Sequence, residues 1–142
     1  MKSFVYAVAL AATIFFTWSC EETIFEKEGD WDPIELDKTH VNFPSEGGQN
    51  TVSALNYNRW WINGGYEPSS REYIHPSSSG EDETCTYDVL DGGWYHVTFP
   101  DKGRSNTIII TVDSLSDDGN PRKAIIEMQA GDAFAKISIS QQ

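Results

Sequence analysis

Basic residues and cysteines are scarce in this chain. Its 142 residues include 10 Lys and Arg against 22 Asp and Glu, a formal net charge of −12. Nucleic-acid binding depends on basic side chains that neutralise phosphates, so the charge argues against a nucleic-acid partner. It also disfavours electrostatic adhesion to anionic lipid headgroups. The two cysteines, Cys20 and Cys85, allow one disulfide at most.

Catalytic and metal-binding motifs are also missing. The sequence has no Gly-x-Ser-x-Gly nucleophile elbow, no His-Glu-x-x-His pair and no phosphate loop. His40, His75 and His96 are dispersed, which is more typical of surface histidines than of zinc ligands. The acidic runs 81–83 and 117–118 lack the alternating ligand pattern of an EF-hand calcium loop. We therefore expect no enzymatic activity, no cofactor and no bound metal.

The N-terminal segment has the features of a lipoprotein leader. Residues 4–16 form an uncharged, mostly apolar run that is too short to span a bilayer comfortably. Thr17-Trp18-Ser19-Cys20 resembles the lipobox, which is loose in lipoproteins of the Bacteroidetes. We expect residues 1–19 to be a signal peptide and Cys20 to carry the lipid that anchors the chain to the membrane. The alternative is a secreted protein with a Cys20–Cys85 disulfide; with lipidation, Cys85 is expected to be a free, buried thiol.

Residues 20–38 are predicted to be the lipidated cysteine and an acidic tether. Like charges at this density favour an extended, solvated chain. An acidic stretch after the cysteine also resembles the signal that sends such lipoproteins to the outer face of the outer membrane, so we expect surface exposure. Without its leader the chain would have nine basic and 22 acidic residues, a net charge of −13. The tether acids are Glu21, Glu22, Glu26, Glu28, Asp30, Asp32, Glu35 and Asp37.

From residue 39 onward apolar residues alternate with polar ones, which is typical of half-buried β-strands. Glycine pairs and Asp-Gly-Asn-Pro separate the apolar runs and are interpreted as turns. The pattern predicts an all-β fold, an antiparallel β-sandwich. The runs centre on 41–43, 52–54, 95–99, 107–112, 124–128 and 135–139, and the turn candidates include 47–48, 64–65, 92–93, 118–121 and 130–132.

Over residues 39–142 the succession of motifs resembles the BACON domain (Bacteroidetes-associated carbohydrate-binding often N-terminal). The resemblance implies an immunoglobulin-like sandwich of about seven strands. A long segment at 66–91 departs from the family and is where an individual function could have been added. The motifs are Val41-Asn42-Phe43, Glu46-Gly47-Gly48, Trp60-Trp61-Ile62, Gly93-Trp94-Tyr95-His96-Val97, Asn120-Pro121-Arg122 and Ile137-Ser138-Ile139-Ser140-Gln141.

Strand parity divides the tryptophans between core and surface. Trp60 shares its side of the strand with Ile62, so Trp61 is expected on the outer face. Tyr95 shares its side with Val97 and Phe99 and is likewise expected in the core, so Trp94 is expected on the outer face. Exposed aromatic rings can stack on the apolar faces of sugars. The glycan-binding candidates are Trp61, Trp94, Arg59, Asn63 and His96.

Two classes of function remain open. The first is a non-catalytic, surface-anchored module for neutral glycans, since the negative field repels sulfated or sialylated ones. The second is a structural spacer or a protein-interaction subunit of a surface complex, in which Trp61 and Trp94 merely cap the sandwich or pack under the 66–91 loop. Asp113-Ser114-Leu115 also resembles an O-glycosylation sequon of exported Bacteroidetes proteins, which makes Ser114 a candidate acceptor.

Overall fold

The structure of the protein is a computed structural model that describes residues 31–80, 87–100 and 105–142. This described part contains β-strands and no helix, so no helix there could cross a membrane. The all-β prediction is confirmed. The strands are β1 (His40–Phe43), β2 (Gly48–Ser53), β3 (Trp61–Tyr66), β4 (Tyr73–Ile74), β5 (Val89–Asp91), β6 (Tyr95–Thr98), β7 (Thr107–Val112), β8 (Arg122–Ala130) and β9 (Ala133–Gln141).

The strands form two sheets, with the orders β1-β9-β8-β3-β4 and β2-β7-β6-β5. Neighbouring strands are antiparallel, except that β1 runs parallel to β9. Both sheets contribute to one apolar core, so the domain is a β-sandwich. The short strands β4 and β5 both lie in the 66–91 segment and account for a strand count above the predicted seven. Among the largest buried side chains are Trp60, Tyr95, Ile62, Leu90, Ile110, Ile126 and Ile137.

The predicted division of aromatic residues between core and surface is confirmed. Trp60 is 1% exposed and belongs to the core, whereas its neighbour Trp61 is only half-buried. Tyr95 is fully buried, and Trp94 is half-buried beside it. Neighbouring residues of a strand point to opposite faces, and this rule identified Trp60 and Tyr95 as the core members of the two pairs. Trp94, expected on the surface, is partly buried and packs against the core.

Gly64 and Gly65, which the sequence analysis interpreted as a turn, are buried residues inside β3. Two tyrosine side chains need the space that these glycines leave. A Cβ at Gly64 would lie 2.4 Å from the ring of Tyr73, and one at Gly65 would lie 2.8 Å from the hydroxyl of Tyr95. Glycine is present here because other side chains approach the backbone closely, and the turn interpretation was wrong.

Residues 31–38, assigned above to the solvated tether, lie against the sandwich instead. Ile34 is buried in the core, and Leu36 forms a β-bridge with Ala54. The indole of Trp31 covers Gly131 in the β8–β9 turn, where a Cβ would lie 2.5 Å from the ring. Apolar side chains spaced among the acids hold this stretch to the domain. Cys20, the tether up to residue 30 and Cys85 lie outside the described residues.

Candidate functional site

The five glycan-binding candidates do not form one site. Trp61 and Asn63 are the first and third residues of β3 in the five-stranded sheet, whereas His96 lies in β6 of the four-stranded sheet and Trp94 directly precedes that strand. The indole of Trp94 bonds to Glu67, which directly follows β3. The two tryptophans therefore lie near opposite ends of β3, about 20 Å apart at ~3.3 Å per residue. A sugar could not stack on both.

The end of the sandwich near Trp94, here called the polar end, is closed by the fully buried Gln141. Its amide Nε2 donates to the carbonyl of Pro44 at 2.9 Å and to that of Asp113 at 2.8 Å. Its Oε1 accepts a hydrogen bond from Nε of Arg122 at 2.8 Å. One side chain thus ties the β1–β2 connection, the end of β7 and the start of β8 together.

Trp94 is part of the same assembly. The guanidinium carbon of Arg122 lies 4.5 Å from the centroid of its ring, and Nε1 donates to Oε1 of Glu67 at 2.8 Å. Its ring also meets that of Tyr95 edge-on, with centroids 5.0 Å apart. These contacts use the indole N–H and cover the ring with a cation, so the geometry of Trp94 is that of a structural cap.

The imidazole of His96 lies between two carboxylates on the outer face of the four-stranded sheet. Its Nδ1 is 3.3 Å from Asp91 and its Nε2 is 3.6 Å from Asp113. Ser114, the O-glycosylation candidate, is exposed in the loop after β7, and its carbonyl accepts a hydrogen bond from Arg122. Arg59 is exposed in the connection before β3. Neither His96 nor Ser114 lies near the start of β3, because both lie at the polar end.

Trp61 and Asn63 lie together in a cleft on the outer side of the five-stranded sheet. The cleft has a volume of about 250 Å³, just below the range of about 300–1,000 Å³ that is typical of small-molecule sites. It therefore suits a group the size of one ring. The seven residues that line it include no Lys, Arg, Asp or Glu: Trp61, Ile62, Asn63, His75, Pro76, Tyr87 and Gln129.

A network of polar side chains beside the cleft holds Asn63. Its amide Nδ2 donates to the hydroxyl of Tyr73 at 3.2 Å and to Oε2 of Glu127 at 3.4 Å. Tyr73 donates to the same carboxylate at 2.8 Å, and Lys136 lies 3.3 Å from its other oxygen. Burial, followed by this hydrogen bond, raises the pKa of Tyr73. The pKa of Lys136 is raised by its hydrogen bonds with Tyr66 and Glu127. These contacts fix the amide of Asn63 at the edge of the cleft.

A second groove runs over the same sheet, across β1, β9 and β8, and has a volume of about 350 Å³. Ser138, Ser140 and Asn42 contribute polar groups to a lining that also includes apolar residues such as Ile125 and Ile139, and none of its lining residues is Trp, Tyr or Phe. Besides hydroxyl and amide groups it offers the imidazole of His40, but no Trp, Tyr or Phe ring for stacking. The Trp61 cleft is therefore the better candidate for a sugar. Residues 31–80, 87–100 and 105–142 contain no group of three His, Cys, Asp or Glu side chains that could hold a metal ion.

No protein-family model and no curated protein matches the chain. It is similar to a solved NMR structure of a protein from Bacteroides thetaiotaomicron, with a TM-score of 0.59 and 22% sequence identity. The likeness covers 82% of this chain and 92% of that one. At this identity it shows a common fold and nothing about a ligand.

Sequence reasoning missed most of the cleft. His75, Pro76 and Tyr87 come from the 66–91 segment, and Gln129 comes from the outer face of β8. The signal for Gln129 was present, because it shares strand parity with the polar Glu127. No periodic pattern places a long connection against a strand, so the other three could be found only from the fold.

Proposed function

We propose that the domain is a non-catalytic sugar-binding module, with its site in the Trp61 cleft. The observation that carries the proposal is the combination of a half-buried indole with two side-chain amides, Asn63 and Gln129, in a cleft the size of one ring. An aromatic face packs against the apolar face of a sugar. The amide of Gln129 can both donate to and accept from its hydroxyl groups, whereas Asn63, whose N–H groups bond to Tyr73 and Glu127, offers its carbonyl oxygen as an acceptor.

Charge supports a neutral sugar as the ligand. The described lining of the cleft has no cationic side chain to pair with a sulfate or carboxylate, and the whole chain has a net charge of −12. An anionic glycan would approach against this field, which is strongest at low salt. This negative field does not repel a neutral glycan. One stacking ring and a few hydrogen bonds at an open cleft correspond to weak affinity.

A glycan array followed by calorimetry on residues 21–142 tests the proposal. We expect neutral oligosaccharides to bind, and Trp61→Ala to abolish measurable binding. Trp31→Ala is the matched control, since Trp31 is 49% exposed but does not line the cleft. Binding that is unaffected by Trp61→Ala, or that is tighter for sulfated glycans and weakens as salt rises, would contradict the proposal.

A protein-interaction subunit is the second candidate function. Leu55 and Trp31 are 64% and 49% exposed and lie on adjoining segments, since the Leu55 N–H donates to the carbonyl of Glu35 and the ring of Trp31 stacks on Tyr57. We propose this apolar surface as the contact with another macromolecule. The two functions are distinguished by the same array. If no glycan binds while Leu55→Asp reduces co-purification with a surface complex, the interaction function replaces sugar binding.

Membrane anchoring through Cys20 and membership of the BACON family belong to the same proposal. The chain has a net charge of −12, which disfavours adhesion to anionic lipid, so Cys20→Ser is expected to move the protein from the membrane fraction to the soluble envelope fraction. A mutant that still sediments with membranes would rule out the lipid anchor. Cell-surface labelling of intact cells tests exposure on the outer membrane.

O-glycosylation at Ser114 is a separate part of the proposal. Ser114 is exposed in the loop between β7 and β8, where a transferase has access. The intact mass of the protein from its native envelope is expected to exceed that of the Ser114→Ala variant by the mass of a glycan. Equal masses, after allowing for the substitution, would exclude the modification.

A further inference from the structure

One aromatic side chain outside the cleft lies in line with it. Phe134 is 58% exposed, although it belongs to a regular strand of the sandwich. It pairs with Gln129 of β8, and Gln129 pairs with Trp61 of β3. Directly paired residues of antiparallel strands point to the same face. Trp61, Gln129 and Phe134 therefore form a straight row across the outer face of the five-stranded sheet, here called the aromatic row.

The spacing of the aromatic row is set by the sheet. Neighbouring strands lie about 4.8 Å apart, so Trp61 and Phe134, two strands apart, are separated by about 10 Å. Alternate sugars of an extended β-linked chain have a comparable spacing. The row thus presents two rings at the separation at which two sugars of one chain could stack on them, with an amide between.

Gln129 retains hydrogen-bonding capacity in the middle of the row. A side-chain amide has two donor hydrogens and one acceptor oxygen, and Nε2 uses one donor on the carbonyl of Gly131 at 2.9 Å. That bond fixes the side chain. The other N–H and the carbonyl oxygen can serve the hydroxyl groups of a sugar between the two rings. None of the three side chains is charged, so the row complements a neutral chain.

From this arrangement we infer that the ligand is a linear, neutral, β-linked glycan that lies across β3, β8 and β9. One sugar occupies the Trp61 cleft, a second stacks on Phe134, and the sugar between them contacts Gln129. The inference rests on the proposed function and deepens it. It assigns Phe134 as a second subsite, and it predicts that chain length, in addition to the identity of one terminal sugar, determines affinity.

Calorimetry with cello-oligosaccharides and manno-oligosaccharides, from the disaccharide to the hexasaccharide, tests the row. We expect affinity to rise about fivefold between disaccharide and tetrasaccharide, because only the longer chain reaches both rings. Phe134→Ala should remove this gain and leave disaccharide affinity unchanged. Leu55→Ala is the control, as Leu55 is similarly exposed but lies outside the row.

The outcomes separate the row from the cleft. If disaccharides bind as tightly as hexasaccharides, or if the affinity of Phe134→Ala still rises with chain length, the inferred subsite at Phe134 is wrong. Sugar binding in the Trp61 cleft would not be contradicted by either result. If neither the array nor either oligosaccharide series yields binding, the proposed function and the row fail together. Melting temperatures of the variants close to that of the wild type verify that a loss of binding is not a loss of folding.

Discussion

Gln141 and its partners close the polar end of the sandwich, whereas half-buried rings and an open cleft mark the opposite end, here called the aromatic end. Each end has a tryptophan. At the polar end Arg122 covers Trp94, whose N–H bonds to Glu67. At the aromatic end Trp61 lines a cleft that is open to solvent. The same residue type thus serves stability at one end and is available for binding at the other.

The comparison explains why aromatic content alone is a poor guide to a binding site. Trp94 and Trp61 both sit on the outer side of a strand pattern, and parity treats them alike. Their difference arises from partners distant in sequence, Arg122 for one and Gln129 for the other. A ring that side chains of its own protein cover, as Arg122 covers Trp94, is not available to stack on a ligand.

The largest effect is expected at Gln141. Gln141→Ala would remove the hydrogen bonds to the carbonyls of Pro44 and Asp113 and to Nε of Arg122, and it would leave a cavity at a fully buried position, at a cost of about 3 kcal/mol in the free energy of unfolding. The exposed neighbour Gln142 provides the control, since Gln142→Ala should change it by less than about 0.5 kcal/mol. Urea unfolding measures both. Equal effects would show that the polar end does not depend on this side chain.

The two tryptophans give the second largest contrast. Trp94→Ala should lower the free energy of unfolding by about 2–3 kcal/mol, through lost packing, the hydrogen bond to Glu67 and the cation–π contact. Trp61→Ala should lower it by less than about 1 kcal/mol, because the ring lies outside the core. Urea unfolding of both variants is the measurement. A cost for Trp61→Ala as large as that for Trp94→Ala would remove the distinction between the ends.

Alkaline pH offers a contrast that involves Tyr95, whose ring contacts Trp94 at the polar end. Burial, and to a lesser extent the carboxylate of Glu67, raises the pKa of Tyr95 to about 12, against about 10 in an unfolded chain. Below pH 10 the phenol is neutral in both states. Between about pH 10 and 12 the unfolded chain loses its proton first, so stability falls as pH rises, by about 2 kcal/mol.

Tyr95→Phe isolates this effect. The hydroxyl has no hydrogen-bond partner among the described residues, so the substitution should change stability little at neutral pH. Between about pH 10 and 12, the free energy of unfolding of Tyr95→Phe should fall less steeply than that of the wild type, because the ionisation of Tyr95 no longer contributes. Unfolding followed by circular dichroism at pH 8 and above tests this. A decline of the same steepness in both proteins would contradict the assignment to Tyr95.

Turn glycines provide the smallest contrast. Gly131 at the aromatic end and Gly119 at the polar end both have left-handed backbone, with φ of 56° and 63°. Alanine in this conformation costs about 1 kcal/mol at either position. At Gly131 it would also displace the ring of Trp31, whereas nothing lies within 4 Å of a Cβ at Gly119. We expect Gly131→Ala to lower the free energy of unfolding by about 1 kcal/mol more than Gly119→Ala does, as measured by urea unfolding. Equal losses would show that the contact between Trp31 and Gly131 does not contribute to stability.

Much of the fold could be predicted because it depends on neighbours in the strand. Alternation predicted the long strands and sent Trp60 inward and Trp61 outward. It failed at Gly64, where the reason for glycine is the ring of Tyr73, nine residues away. It failed again at Ile34, since the acidic residues around the few apolar side chains of this stretch conceal the burial of Ile34.

The candidate site was less predictable than the fold. Asn63 and Trp61 were found from one strand, but His75 and Tyr87 reach the cleft from a connection that has no periodic pattern. Phe134 could have been found, because it shares strand parity with the polar Lys136 and Ser138. At the polar end, by contrast, both important residues were visible in the sequence. Arg122 and Gln141 belong to the motifs that resemble the BACON domain, and the fold joins them by a hydrogen bond.

The central claim, that the aromatic end is the binding end, is tested most directly by the indole N–H signals in a two-dimensional ¹H–¹⁵N spectrum. Each tryptophan can be assigned by substitution and followed during titration with neutral cello- or manno-oligosaccharides. We predict that the Trp61 indole signal and the backbone amides of Gln129 and Phe134 shift in a saturable manner, while the Trp94 signal does not move. Shifts confined to Trp94 and its neighbours, or a spectrum unchanged at saturating oligosaccharide, would contradict the claim.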